Sequence, residues 1–340
     1  MAYRYLGNKS RLAGWIVDEV RRYLPDGGVV ADPMCGTGAV SEELASRGYD
    51  VIASDALKFP TLHAEARLLH SHEPEFRHFG GYASVLAELN SLAPRIGYFY
   101  REFGEGGVPL ARSTPRKYFT SENASAIDAV RHFIKSAADG GKISDLEHHL
   151  LLHDLILAVN DVANIAGTYG YFRSSISSSA LRRLELRPSN FSVTGGDHLV
   201  TRGEASAVLA SHRVDAVYLD PPYTKRQYAG NYHILETIAR EDEPAAMGAG
   251  GLRPWAGDAS DFCYKRRAEN AFRQVVAAAN ARFIFISYSE DGQLSPKVLR
   301  DTLSDFGEVT VRTQRHPRYS SNSNAKTGVL TEFLYCVEVH

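Results

Sequence analysis

The sequence predicts an α/β protein whose mostly parallel sheet is covered by helices on both faces. Short apolar, β-branched segments alternate along much of the chain with helical patterns, and a Gly-rich turn follows the first of them. Such alternation is typical of βαβ units, in which a crossover helix connects two parallel strands.

Seven segments have the composition of strands: 28–31, 50–54, 191–194, 214–219, 282–287, 308–313 and 333–339. Helical periodicity marks the segments 10–23, 39–46, 56–70, 199–210, 265–280 and 296–305. The last two strand segments follow each other without a helical pattern between them. They are therefore expected to form an antiparallel hairpin at the edge of the sheet.

The alternation stops between residues 71 and 190. Helical patterns at 82–92, 124–135 and 143–165 dominate there. We interpret 71–190 as an inserted, mostly helical domain within a sheet domain made of 1–70 and 191–340. A second interruption at 241–261, rich in Gly, Ala and Pro, predicts a mobile loop.

Composition narrows the class of protein. The chain has 340 residues, a formal net charge of −2 and 44% hydrophobic residues, which are ordinary values for a globular protein of one large and one smaller domain. The near-neutral charge is mild evidence against nucleic-acid binding. No apolar run approaches the ~20 residues of a membrane span, and no signal peptide is evident. The three dispersed cysteines suggest neither disulfides nor a metal site, so we expect a cytoplasmic, metal-free protein.

The first motif follows the predicted strand at 28–31. It consists of Asp32, Pro33, Met34, Cys35, Gly36, Thr37 and Gly38. Glycine lets a backbone approach a ligand closely, and the end of a strand in an open α/β sheet is where nucleotide-like ligands bind. The turn has neither the P-loop lysine nor a complete G-x-G-x-x-G, which favours a ligand without pyrophosphate. A turn without any ligand is the alternative.

Two more acids are candidates for ligand contacts. Asp55 follows the second predicted strand, and an acid about 20 residues past the Gly-rich turn is placed to bind ribose hydroxyls. Asp197 follows the predicted strand at 191–194 and could accept a hydrogen bond from an adenine amino group. For both residues, capping of the following helix is the alternative.

The most specific motif is Asp220-Pro221-Pro222-Tyr223, after the apolar segment 214–219. Two prolines stiffen the segment and fix the directions of the Asp220 and Pro221 carbonyl groups. A carboxylate and a fixed carbonyl can together accept both N–H bonds of an amino group on a base. That interaction frees the nitrogen lone pair for attack on a methyl sulfonium, by positioning and electrostatics alone. Tyr223 offers a flat face for a flipped-out base.

These motifs together resemble the adenine-N6 DNA methyltransferases with the alpha order of motifs. Residues 4–9, which include Tyr5 and Lys9, resemble the N-terminal cofactor motif of that family, and residues 32–38 resemble its Asp-Pro-Phe-Cys-Gly-Thr-Gly loop, with Met34 in place of Phe. Residues 220–223 match its catalytic tetrapeptide, and residues 285–289 resemble a strand of the pocket wall. The insertion at 71–190 falls where the family has its target-recognition domain.

The resemblance implies a Rossmann-like methyltransferase fold, S-adenosyl-L-methionine as cofactor and flipped-out adenine in duplex DNA as substrate. It implies that Lys9 pairs with the cofactor carboxylate, and that Asp32 and the Gly36–Gly38 turn hold its methionine part. Asp55 would bind its ribose, and Asp197 would lie near its adenine. Asp220 and the Pro221 carbonyl would hold the target amino group. A cognate restriction enzyme is a further expected partner of such proteins, although this sequence does not identify one.

Residues expected to contact DNA were chosen by residue type and position. They are the basic or aromatic side chains Arg112, Arg116, Lys117, Tyr169, Arg173, Lys225, Arg226, Arg315, Arg318 and Lys326. Amides and aromatics at 160–164 and 168–173 suit base-edge contacts, but they could equally cap and pack a helical domain. The basic segment 312–326 is predicted to be a loop beside the active site.

Other functions remain open at this stage. Cytosine-N4 methylation of DNA and adenine-N6 methylation of RNA use similar chemistry. The first usually has Ser at the position of Asp220, which favours adenine. A catalytically idle binding module on the same fold is a second class. A nucleotide-dependent oxidoreductase would use the Gly turn and Asp55, but it has no need of the tetrapeptide.

Overall fold

The computed structural model describes residues 5–70, 72–191, 195–317 and 328–340. These residues form two compact units that interleave along the sequence. The helical unit consists of the described residues of Met1–Leu6, His72–Phe191 and Tyr228–Gly257, and the sheet unit consists of those of Gly7–Ser71, Ser192–Gln227 and Asp258–His340. The boundaries predicted from the sequence leave Tyr228–Gly257 out of the inserted domain.

In chain order, the α-helices of the described residues are α1 (Ala13–Tyr23), α2 (Ala39–Ser46), α3 (Lys58–Leu68), α4 (Tyr82–Ser91), α5 (Tyr98–Phe103), α6 (Ser121–Asp139), α7 (Asp145–Val162), α8 (Ala205–Ser211), α9 (Tyr228–Asn231), α10 (His233–Arg240), α11 (Ala268–Ala277) and α12 (Pro296–Ser304). The strands are β1 (Val29–Asp32), β2 (Asp50–Asp55), β3 (Leu199–Arg202), β4 (Ala216–Leu219), β5 (Phe283–Ser289), β6 (Gly307–Pro317) and β7 (Val329–Val339).

The sheet unit contains one seven-stranded sheet with the order β3-β2-β1-β4-β5-β7-β6. The first five strands in this order pair in parallel, whereas β7 pairs antiparallel with both β5 and β6. The predicted Rossmann-like α/β fold is therefore confirmed, as is the terminal antiparallel hairpin.

Alternating side chains of the central strands enter two separate cores, one on each face of the sheet. Ala216 and Tyr218 of β4 join the core formed with α1, α2 and α3. Val217 and Leu219 join the core formed with α8, α11 and α12. Because successive side chains of a strand point to opposite faces, a strand covered by helices on both sides must be apolar throughout.

The third strand lies later in the chain than predicted. Helix was expected over 199–210, but Leu199–Arg202 forms β3, parallel to β2, and α8 begins only at Ala205. Gly203 separates the two elements, and the β-branched Val200 and Thr201 suit a strand. The strand prediction at 191–194 falls mostly on residues outside the described ranges. The loop prediction for 312–326 was wrong over 312–317, which extend β6.

The helical unit confirms the helices predicted near 82–92, 124–135 and 143–165, as α4, α6 and α7. Thr120 caps α6 by accepting the N–H of Asn123. Ser144 and Glu147 form a reciprocal capping box at the start of α7. Leu150, Leu151 and Leu152 are all fully buried, so α7 packs on most of its circumference.

Arg116 is completely buried inside the helical unit. Its guanidinium contacts the Glu102 carboxylate at 2.8 Å and donates to the carbonyl oxygens of Ala246 and Gly248, each at 3.1 Å. A side chain at Gly251 would meet Arg116, since a Cβ there would lie 2.7 Å from its Cδ. Arg116 thus fixes the segment 246–251, within the predicted mobile loop at 241–261.

Substitution of Arg116 by Met should lower the free energy of unfolding by about 3 kcal/mol or more, because Glu102 would keep a buried charge without its main partner. Chemical denaturation of the full chain measures this loss. The matched control is Arg173→Met, at an exposed arginine, which should change stability by no more than about 0.5 kcal/mol. Equal effects of the two substitutions would contradict the structural role of Arg116.

Candidate active site at the carboxyl edge of the sheet

The topology of the sheet creates a crevice between the ends of β1 and β4. These strands are neighbours, but the chain continues from β1 to one side of the sheet and from β4 to the other. Open α/β sheets bind their ligands at such a switch point, outside the carboxyl ends of the strands. Asp32 is the last residue of β1, and Asp220 directly follows β4. The predicted motifs therefore meet at this edge.

The Gly-rich turn after β1 has the left-handed conformations that its glycines permit. Gly36 has φ 51° and Gly38 has φ 72°. A Cβ on Gly38 would lie 3.2 Å from the Cα of Ala64, so α3 approaches the turn closely. The N–H of Gly36 donates to Oδ2 of Asp55 at 3.2 Å, which joins the turn to the end of β2.

Asp55 organises two loops in the described structure. Its Oδ1 accepts the N–H of Leu57 at 3.0 Å, just before α3, while its Oδ2 accepts from Gly36. The N-cap residue of α3 is Leu57, so Asp55 lies two residues before the capping position that the sequence analysis left open for it. Its carboxylate is at the carboxyl edge, as a ribose contact requires.

Asp32 is a buried carboxylate with a strongly altered pKa. Only 1% of the residue is exposed, and the Ser41 hydroxyl donates to its Oδ2 at 2.6 Å. Among the described residues, its Oδ1 has no hydrogen-bond partner. Burial raises the pKa of Asp32 to about 7, with a smaller lowering by the Ser41 hydrogen bond and further raising by the charges of Asp220 and Asp55.

Lys9 lies between two carboxylates. Its Nζ is 2.8 Å from Oδ1 of Asp220 and 3.3 Å from Oε1 of Glu332, and it is 5.2 Å from the centre of the Tyr223 ring. Burial alone would lower the pKa of Lys9, but Asp220, Tyr223 and Glu332 together hold it well above its usual value. Lys9 therefore stays charged although only 6% of its side chain is exposed.

Asp220 is the most open member of this group, with 18% of its side chain exposed. Burial raises the pKa of Asp220 to about 6, against the opposing effect of Lys9 and with a further contribution from Glu332. A carboxylate with this pKa is ionised at neutral pH and is a better hydrogen-bond acceptor than an ordinary aspartate. Its exposed part leaves room for a polar group of a substrate.

The rest of the tetrapeptide is held by the end of β5. The ring of Tyr223 packs edge-on against Tyr288, with 5.9 Å between ring centres. The carbonyl of Tyr223 accepts the N–H of Gln293 at 3.1 Å. The predicted pocket-wall segment 285–289 therefore supports the tetrapeptide.

One predicted cofactor residue lies at the opposite edge of the sheet. Asp197 precedes β3 instead of following a strand, and its N–H donates to Asp50 at the start of β2. Because β2 and β3 are parallel, Asp197 lies at the amino edge, and the carboxyl end of β3 holds Arg202 instead. Tyr5 belongs to the helical unit, where it stacks on Tyr232 with 5.1 Å between ring centres.

The residues predicted to contact DNA divide by exposure. Arg116 and Tyr169 are fully buried, so the prediction that they contact phosphate or base was wrong. The run 112–117 looked like a basic surface, but Arg116 points into the core of the helical unit. Arg112 and Lys117 are partly buried, and the remaining described candidates are exposed: Arg173, Lys225, Arg226 and Arg315. Arg318 and Lys326 lie outside the described residues.

The amides of the helical unit mostly hold its own backbone. The Asn164 side chain donates to the carbonyls of Lys117 and Arg173 and accepts the N–H of Ser177. Asn123 binds the segment 180–184 in the same way. The sequence left base contacts and packing as alternatives for the segment 160–164. The hydrogen bonds of Asn164 correspond to packing within the helical unit.

Sequence reasoning missed Glu332 and its neighbour Ser287. Glu332 is 1% exposed, and the Ser287 hydroxyl donates to its Oε1 at 2.7 Å. The available signal was an acidic residue near the start of a largely apolar strand, Val329–Val339. Its proximity to Lys9 depends on the pairing of β7 with β5, which no local pattern reveals.

Two searches of the described residues give negative findings. No group of three or more His, Cys, Asp or Glu side chains there could hold a metal ion. No helix within those ranges is long and apolar enough to cross a membrane. Cys35, Cys263 and Cys336 are buried and not bonded to one another.

Comparison with known proteins identifies the family. Residues 5–315 match the model of the D12 class N6 adenine-specific DNA methyltransferases. The chain belongs to this family. The match includes the Gly-rich turn, Asp220 and most of the helical unit, and it agrees with the resemblance inferred from the motifs.

Curated relatives of this D12 methyltransferase align along almost its whole length. It is 30% identical to the Type II methyltransferase M.NlaIII of Neisseria lactamica, over 98% of each chain. It is 31% identical to the Type II methyltransferase M.FokI of Planomicrobium okeanokoites, over 98% of this chain and 52% of that protein. It is also 31% identical to the modification methylase LlaI of Lactococcus lactis subsp. lactis, over 96% of this chain and 53% of that protein. The chain thus spans about half the length of the last two relatives.

Superpositions on solved structures are loose. Magnesium protoporphyrin IX methyltransferase from Synechocystis, with bound SAH, gives a TM-score of 0.36 at 10% identity, over 99% of this chain and 90% of that chain. The assignment to the D12 family therefore depends on the family model and the sequence relatives.

The raised pKa of Asp32 makes a prediction for stability. A carboxyl whose pKa rises from 3.8 to about 7 on folding destabilises the folded state increasingly as pH rises between those values. Asp32→Asn removes this effect, so its stability gain over the natural protein should grow by roughly 2–4 kcal/mol from acid to neutral pH. Denaturant unfolding at a series of pH values tests this.

Asp197→Asn is the matched control for that experiment, since Asp197 is exposed at the opposite edge of the sheet. This substitution on the surface should change the free energy of unfolding by no more than about 0.5 kcal/mol. A constant difference between Asp32→Asn and the natural protein across the pH range would show that Asp32 titrates normally.

Proposed function

We propose that this chain transfers the methyl group of S-adenosyl-L-methionine to the N6 amino group of a flipped-out adenine in duplex DNA. The observation that carries the proposal is the position of Asp220, on a proline-stiffened segment at the switch point of the sheet. The D12 family assignment supports adenine in DNA as the substrate.

The charge of the site suits S-adenosyl-L-methionine. The cluster described above holds three carboxylates, on Asp32, Asp220 and Glu332, and one ammonium group, on Lys9. A ligand with an ammonium and a sulfonium group would be stabilised by this excess of negative charge. Oδ1 of Asp32, which has no hydrogen-bond partner among the described residues, could accept the ligand's ammonium group. The glycines of the turn place no Cβ between the backbone and a ligand, and Asp55 lies at the strand end expected for ribose. When bound, this cofactor supplies an electrophilic methyl group.

Asp220 and Pro221 are proposed to activate the target nitrogen. One N–H of the amino group would donate to the Asp220 carboxylate and the other to the Pro221 carbonyl. The nitrogen lone pair then forms the new N–C bond while the C–S bond breaks and the sulfur leaves as a neutral thioether. The methylated nitrogen bears a positive charge and releases one proton to Asp220, whose pKa near 6 suits both accepting and returning it.

Tyr223 is proposed to stack on the adenine during the reaction. Its ring is held edge-on by Tyr288, and the Gln293 N–H fixes its carbonyl, so the side chain is ordered before a base arrives. Base–aromatic stacking contributes about 1–3 kcal/mol per base, which helps offset the cost of unstacking.

The helical unit is proposed to recognise the target sequence. Arg173 is exposed in this unit, and Lys225, Arg226 and Arg315 are exposed in the sheet unit, so all four can contact phosphate. Arg112, Lys117, Arg318 and Lys326 stay in the proposal from residue type alone. We also propose that the chain protects DNA from a restriction enzyme of the same specificity, which its similarity to a Type II methyltransferase and a modification methylase supports.

Product analysis tests the reaction. Unmodified duplex DNA incubated with the full chain and the cofactor should yield N6-methyldeoxyadenosine when its nucleosides are separated by mass spectrometry. N4-methylcytosine would assign a different base, and methylation of RNA alone would assign a different substrate. Binding of NAD without binding of S-adenosylhomocysteine would overturn the proposal.

Replacement of Asp220 by Ala should lower the rate of methyl transfer by roughly 10²–10³-fold or more, because the amino group loses its charged acceptor. Affinity for S-adenosylhomocysteine, measured by calorimetry, should change by no more than about threefold. The matched control is Asp301→Ala on α12, an exposed aspartate that pairs with Lys297. An unchanged rate in the Asp220 variant would refute the role given to that residue.

A further inference from the structure

Glu332 reaches the active site from the antiparallel part of the sheet. It lies on β7, opposite Ser289 of β5. Its Oε1 is 2.7 Å from the Ser287 hydroxyl and 3.3 Å from Nζ of Lys9. A single carboxylate oxygen therefore connects β5 with the lysine that contacts Asp220.

This arrangement is unfavourable for folding taken alone. A buried carboxylate loses its hydration, and an apolar side chain of similar volume would often stabilise the site more. Glu332 also adds a second negative charge close to the same Lys9 ammonium that contacts Asp220. Such an unfavourable placement is expected where the charge serves the chemistry of a site.

Three oxygen atoms lie close to the Lys9 ammonium, two in ion pairs and one as a hydrogen-bond acceptor. They are Oδ1 of Asp220 at 2.8 Å, Oε1 of Glu332 at 3.3 Å and the carbonyl of Gly7 at 3.4 Å. With Glu332 present, the ammonium divides its interaction between two carboxylates and approaches Asp220 from the side of Oδ1.

We propose that Glu332, supported by Ser287, is a positioning residue that holds the Lys9 ammonium on one oxygen of Asp220 and leaves the other oxygen for the target amino group. This inference rests on the proposed methyl transfer. It also assigns Lys9 to the catalytic carboxylate, and not to the cofactor carboxylate that the family resemblance implied.

Without the charge of Glu332, Lys9 would pair with Asp220 more strongly. The ammonium would then compete with the target amino group for the carboxylate. Besides Lys9 and Glu332, the groups that face Asp220 are Asp32, Tyr218 and Tyr223. Glu332 faces Lys9, Ser287 and His316, whose Nε2 is 3.8 Å from Oε2.

The two variants that test this should move the acid limb of the pH–rate profile in opposite directions. Glu332 raises the pKa of Asp220 and Lys9 lowers it. Glu332→Gln should therefore shift the limb near pH 6 to lower pH, and Lys9→Met should shift it to higher pH. Glu332→Gln should also lower kcat by about tenfold while the KM for the cofactor changes by less than about threefold.

The assay uses steady-state transfer to duplex DNA by the full chain, with thermal unfolding of each variant as a check on folding. Ser287→Ala removes one hydrogen bond to Glu332 and should produce the same changes at smaller size, so the test survives if Glu332→Gln folds poorly. Glu338→Gln is the matched control, because Glu338 is exposed on the same strand. His316→Asn should leave the limb in place.

The outcomes separate the two proposals. A natural protein that makes no N6-methyladenine refutes the proposed function, and the role of Glu332 falls with it. If the natural protein is active but its Glu332→Gln and Ser287→Ala variants keep the same acid limb and kcat, only the positioning role is overturned. A limb that moves equally in His316→Asn would assign the titration to His316 and would also overturn it.

Discussion

The parallel pairing of β1 with β4 determines where the carboxylates of Asp32 and Asp220 lie. These strands are neighbours in the sheet, but β2 and β3 come between them in the chain, as does the segment 72–191. Their connections therefore leave to opposite sides, and the carboxyl edge between them is not covered by a crossover. Asp32 and Asp220 extend from the two strand ends into that gap. A different strand order would separate them, whatever their local sequence motifs.

The carboxylates at this edge are stabilised unequally. Asp32 has one hydroxyl partner and an oxygen without any among the described residues, and burial raises its pKa to about 7. Asp220 has the Lys9 ammonium, and its pKa rises to about 6. The apolar cores on both faces of the sheet offset the free-energy cost of burying these carboxylates. A positively charged ligand would lower the electrostatic cost of the same carboxylates. Ligand binding and folding stability therefore depend on one set of charges.

Local sequence patterns predicted those parts of the candidate site whose residues are contiguous in the chain. The turn from Asp32 to Gly38 and the segment from Asp220 to Tyr223 are contiguous, and a strand leads into each. Burial was harder to foresee. Arg116 stands in a basic run that looks exposed, yet its partner carboxylate and carbonyls come from distant segments. Glu332 became relevant only through the register of two antiparallel strands. Asp197 was expected to follow a strand, but it precedes β3. That strand was not recognised because 199–210 is a continuous run of mixed propensity, in which only Gly203 marks the boundary between strand and helix.

The buried contact of Arg116 with Ala246 and Gly248 bears on how specificity could be exchanged between relatives. The helical unit is not one inserted block, since Arg116 comes from the segment 72–191 and its carbonyl partners come from Tyr228–Gly257. A chimera that replaces 72–191 alone would leave these carbonyls facing a foreign side chain. The helical unit is a pair of segments on either side of the Asp220–Tyr223 tetrapeptide. Under the proposed role of this unit, recombination that changes the recognised sequence must therefore carry both segments and leave the residues between them in place.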